Sequence, residues 1–61
     1  MRDLERGIIV QISGPVVDVE IQEGPLPRLR EELTVEKDGS LRVMEVAQHT
    51  GRSTVRCIML S

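Results

Sequence analysis

The feature that most constrains this chain is its punctuation. Turn signals fall at Ser13-Gly14-Pro15, Glu23-Gly24-Pro25, Asp38-Gly39-Ser40 and Thr50-Gly51-Arg52. Between them lie short runs rich in β-branched residues, at 8–12, 16–21, 33–37, 41–48 and 53–60. Short strands parted by glycine-containing turns at this spacing predict an all-β barrel or sandwich. No linker, repeat or low-complexity stretch interrupts the pattern, so residues 1–61 are read as one small domain.

Alternation supports the strands unevenly. Val17, Val19 and Ile21 share one face, with Val16, Asp18 and Glu20 on the other, as in a half-buried antiparallel strand. In the run 41–48, Leu41 and Val43 share a face while Met44 and Val46 take the opposite one. Either a bulge lies near Val43–Met44 or both faces are covered. The run 53–60 has the same ambiguity, because Cys57 and Met59 oppose Ile58 and Leu60. Asp38-Gly39 is a hairpin signal, since glycine accepts the positive φ of a tight turn. Pro25 and Pro27 exclude a ladder strand across their segment. After them, Leu26, Leu29 and Leu33 stand at helical spacing, which predicts one short helical turn near residues 28–32 capping an end of the barrel.

A chain of 61 residues buries only about 60 % of its unfolded surface. Here the core must be built without Phe, Tyr or Trp. Chains this short call for a staple or a partner. One cysteine, Cys57, cannot form an internal disulfide, and no Cys/His spacing suggests a metal site. A protein partner is therefore the expected source of further stability. The net charge of −2, with both signs interspersed, argues against nucleic acid. No apolar run approaches the ~18 residues of a membrane span, and 1–6 lacks a signal-peptide core. A free thiol in a strand fits a reducing compartment, so the expected setting is cytoplasmic.

The search for chemistry is mostly negative. There is no phosphate-binding glycine loop and no nucleophile elbow. His49 and Cys57 would make a dyad only if the fold brought them within hydrogen-bond reach. A buried thiol acting as a small hydrophobe is the plainer reading. Glu31 and Glu32 are neighbours in sequence and would diverge rather than share a proton. Arg28, Arg30, Arg42, Arg52 and Arg56 are dispersed, serving solubility or interface ion pairs. No catalytic, cofactor or metal site is expected.

Four blocks carry a resemblance. The stretch from Gly7 to Glu20, Gly-Ile-Ile-Val-Gln-Ile-Ser-Gly-Pro-Val-Val-Asp-Val-Glu, is similar to the G-x-I-V-Q-V-x-G-P-V-V-D-V-x-F opening of F1-type ATP synthase β subunits. Leu26-Pro27-Arg28, with Leu33 later, looks like that family's L-P-x-I-x-x-A-L segment. The run from Leu41 to His49, followed by Gly51, resembles L-x-L-E-V-A-Q-H-L-G, and Thr54-Val55-Arg56-Cys57-Ile58 matches T-V-R-x-I. The blocks stand in the family's order and cover nearly the whole chain. Ile21 replaces the family's usual Phe, in keeping with the aromatic-free composition.

The resemblance, to bacterial-like members, implies a six-stranded Greek-key β-barrel, the N-terminal crown domain of the subunit, with no nucleotide-binding domain in these residues. It implies a non-catalytic assembly role: barrel-to-barrel contacts that hold an α/β hexamer together, in a complex coupling proton transport to ATP synthesis. Partners would be neighbouring F1 α/β-type subunits or further copies of the chain. No nucleic acid, direct membrane contact or small-molecule substrate is expected, and the location would be cytoplasmic, peripheral to the membrane. The candidate interface is Val46, Gln48, His49, Arg52, Arg56, Ile58 and Leu60. Two other readings stay in view. One is a stand-alone OB- or SH3-like binding barrel, which would need stacking aromatics that the chain lacks. The other is a homo-oligomeric paralogue unrelated to ATP synthesis.

Overall fold

The structure, a computed structural model, describes residues 6–37 and 39–60. Five strands run in order: β1 (Arg6–Ser13), β2 (Val16–Glu23), β3 (Glu32–Lys37), β4 (Ser40–His49) and β5 (Thr54–Met59). They form one antiparallel sheet in the order β1-β2-β5-β4-β3. The all-β expectation holds. The meander β3-β4-β5 with β2 returning beside β5 is a Greek key, and residues 24–31 form its long connection.

The turns follow from their residues. Ser13 pairs with Val16 around Gly14-Pro15. Proline fixes a negative φ, so the positive φ of 60° must fall on Gly14, which defines a type II′ turn matched to strand twist. At the β3–β4 turn Lys37 pairs with Ser40 and Gly39 takes φ 79°. Asp38, the other half of that hairpin signal, lies outside the described residues.

The core is Val17, Val19 and Ile21 of β2, Met44 and Val46 of β4, and Val55 and Cys57 of β5, with Leu26, Leu33, Val35 and Met59 packed against it. Each fully buried aliphatic side chain of this kind stabilises by about 1.5–3 kcal/mol. Strand β1 places nothing in the core: Ile8, Ile9, Val10 and Ile12 are between 37 and 56 % exposed.

Three details differ from the sequence expectations. The described residues hold five strands, not six, and the sheet does not close. No Cα of β1 comes within 8 Å of one of β3. Second, the β4 bulge is at Ala47, where the register passes from Val46↔Cys57 to Gln48↔Arg56, and not near Val43–Met44. Arg42 takes an inward register position at the open end, while Leu41 lies outside at 73 % exposure. A further bulge at Val10 lets both Ile9 and Ile12 face inward.

Third, residues 28–31 form a turn and not a helical one. Glu31 N–H donates to the Arg28 carbonyl at 3.1 Å, and Arg30 has φ 73°. That is a type II turn, whose third residue needs a positive φ. The strand ladder wins over the helix here. Arg30 N–H donates to the Val46 carbonyl at 2.7 Å and Val46 N–H to the Glu31 carbonyl at 2.9 Å, extending the β3–β4 pairing. Glu31 Oε1 also accepts from Arg28 N–H at 2.9 Å.

Candidate functional site

A row of polar residues crosses the outer face of the sheet. The registers place Gln11, Asp18, Arg56 and Gln48 side by side on β1, β2, β5 and β4. At its centre Arg56 holds Asp18 with two bonds, Nε to Oδ1 at 2.9 Å and Nη2 to Oδ2 at 3.1 Å. Fork-to-carboxylate pairing fixes orientation as well as attraction. The Asp18 side chain is only 12 % exposed, against 44 % for Arg56. The Arg56 hydrogen bond holds the Asp18 carboxyl below its ordinary range, burial opposes this, and the guanidinium charge adds to the lowering. Arg56 in turn is held more firmly cationic by the same partner.

Beside this pair lies a shallow, partly apolar groove of about 350 Å³, lined by Leu29, Arg30, Glu45, Val46, Ala47 and Ile58. Three features build it. The Ala47 bulge puts a small side chain in its floor, the type II turn raises Leu29 to 56 % exposure, and Ile58 alternates outward from the buried Cys57. A partly apolar groove next to an oriented ion pair suits contact with another protein surface.

The candidate interface residues do not form one patch. Gln48, Arg56 and Ile58 share the outer face of β4 and β5. His49 and Arg52 lie at the end where the crossover packs, and Leu60 sits at the opposite end beside Pro15 and Met59. Val46 is a correction: at 1 % exposure it belongs to the core, because the bulge falls after it and leaves it facing inward. Leu29, Ala47 and Asp18 were missed by the sequence reading. Only the apolar residue between two arginines, Arg28-Leu29-Arg30, offered a signal.

The fold does not bring His49 to Cys57. His49 stands opposite Val55, and Cys57 opposite Val46. The His49 Nε2 donates to the Pro27 carbonyl at 2.6 Å, tying the crossover to the end of β4; a carbonyl only accepts, so Nε2 carries the proton. Cys57 is 0 % exposed, and burial, with the Asp18 charge behind it, pushes its thiol above the ordinary range. Such a thiol is a packing group and no nucleophile.

These elements define a small all-β module, a curled five-stranded Greek-key sheet with a polar row across its outer face. Residues 9–61 match the model of the ATP synthase alpha/beta family, beta-barrel domain, and the chain belongs to that family.

Proposed function

We propose that the chain is the assembly barrel of a β-type subunit in an F1 ATP synthase. In this reading it catalyses nothing and holds neighbouring α/β-type subunits by barrel-to-barrel contact. The parent complex would couple proton transport to ATP synthesis, cytoplasmic and peripheral to the membrane. Family membership over residues 9–61 supports an association role within such a complex. The β assignment rests on the four motif blocks, from Gly7 to Glu20, at Leu26-Pro27-Arg28, from Leu41 to His49 and from Thr54 to Ile58.

The observation that carries the contact surface is the outer groove of Leu29, Ala47 and Ile58 beside the Asp18–Arg56 pair. Protein interfaces concentrate apolar anchors at their centre with oriented polar groups around them. Sedimentation of the chain with an α-type barrel tests the proposal. A complex that Leu29→Asp or Ile58→Lys weakens at least about tenfold is the expected result. A chain that ignores the α-type barrel, or a complex indifferent to both substitutions, would overturn it.

A further inference from the structure

The bulge at Ala47 changes which way the end of β4 points. Val46 faces the core, and in a strand of period two the residue three places on would face outward. The extra residue reverses that phase. Gln48 stands beside the outward Arg56, and His49 stands opposite Val55, which is 0 % exposed. Re-aiming a side chain is a common use of a bulge. Here it brings the His49 ring to the crossover, where Nε2 donates to the Pro27 carbonyl at 2.6 Å. The Pro27 side chain is fully buried and Leu26 packs against the core, so the anchored end of the crossover is itself firmly seated.

The crossover is thus fastened to β4 at two places. One is the His49–Pro27 bond, and the other is the backbone pairing of Arg30 and Glu31 with Val46. Between the fasteners lie Arg28 and Leu29 on the crossover, and Ala47 and Gln48 on β4. Equal spans keep the type II turn in step with the bulge, and Leu29 and Ala47 line the same groove. The Val46 fastener is main chain on both sides. The other depends on a single ring nitrogen. Without it, the turn keeps its own bonds at Arg28 but is held to β4 from one side only.

We infer that His49 is a positioning residue of the outer groove: through the Pro27 carbonyl it sets where Leu29 stands relative to Ala47 and Ile58. This role rests on the contact function proposed for that groove, and it makes His49 act through Leu29.

Two substitutions separate the hydrogen bond from the residue. His49→Gln keeps an N–H donor near the Nε2 position, whereas His49→Asn, one methylene shorter, withdraws it. Amide hydrogen exchange is read first, on the free chain. His49→Asn is expected to speed exchange at the Arg30 and Glu31 amides roughly fivefold, the loss of one hydrogen bond, with β2 and β5 unchanged. His49→Gln should stay close to the parent. Sedimentation with an α-type barrel is read second. His49→Asn should weaken the complex roughly fivefold and His49→Gln should restore it. In a Leu29→Ala background the Asn and Gln chains should bind alike.

Crossover amides unmoved by His49→Asn, or exchange that rises equally across the sheet, overturn the positioning role. So does a Gln chain that behaves as the Asn chain, or a full His49→Asn loss of binding in the Leu29→Ala background. The exchange readout needs no partner. If the parent chain ignores the α-type barrel while His49→Asn loosens the crossover selectively, the assembly reading fails and the positioning stands.

Discussion

Ile12 and Val17 face each other across the β1–β2 ladder, yet Ile12 is 56 % exposed and Val17 1 %. Both are β-branched and aliphatic, and both point toward the interior. What separates them is position in the sheet: among the described residues β2 is flanked on both sides, while β1 pairs with β2 alone. The contrast runs through the molecule. Among the described residues the buried core cluster comes from β2, β4 and β5, joined by Pro27 of the crossover, and the edge strands contribute only partial cover. In a sheet this small, the number of neighbours a strand has decides how much its side chains are worth.

Truncation should expose that contrast most strongly. Met44→Ala, at a site 3 % exposed, is expected to cost about 2–5 kcal/mol, whereas Ile12→Ala should cost under about 1 kcal/mol. Urea unfolding of the two variants measures the difference, and equal losses would break the comparison. Gly7→Ala should come next, at about 1–3 kcal/mol. A Cβ there meets Val19 Cγ1 at 2.6 Å and the Glu20 carbonyl at 3.3 Å, so even the exposed strand is pressed closely onto β2. A neutral result by the same melts would mean that β1 is held more loosely than the central strands.

Arg30→Gly should act in the opposite direction, stabilising by about 1 kcal/mol. Glycine accepts the φ of 73° without strain, and the two backbone bonds to β4 stay in place. A thermal melt that shifts downward would show that the arginine side chain contributes more than its backbone costs. The smallest effect belongs to Asp18. Its carboxyl is lowered in the folded state, so its stabilisation is complete above the ordinary carboxylate range and is lost as pH falls through the lowered value. Solvent screening at the half-exposed Arg56 keeps the size modest. Unfolding followed against pH should show a shallower acid loss in Asp18→Asn than in the parent.

The all-β class and the central strand were legible because Val17, Val19 and Ile21 alternate and the glycine turns are unambiguous. The frame of β4 was not. Leu41 looks like a core residue beside Val43, but its register opposite Glu36 puts it on the outer face at a hairpin end, 73 % exposed. Bulges at Val10 and Ala47 are properties of a strand pair, so one strand's sequence does not announce them. The leucine spacing at 26, 29 and 33 suggested a helical turn. Two of those leucines do pack on the core, yet hydrogen bonds to Val46 pull the segment into a turn that sends Leu29 outward. The candidate site suffered for the same reason: Val46 was misplaced and Leu29 overlooked, both through the unseen bulge and turn.

The β2–β5 ladder also sets a clock. The pieces β1–β2 and β3–β4–β5 each close over short turns, but Asp18 and Arg56, which join them, are 38 residues apart in sequence. Bringing those strands together costs loop entropy before their contacts form, and non-local pairing of this kind slows folding. If that docking is the barrier, Val55→Ala, opposite Val19 in the ladder, should slow refolding in a chevron experiment. A change confined to the unfolding limb would move the barrier elsewhere. On this reading the chain waits, partly built, for its two halves to meet.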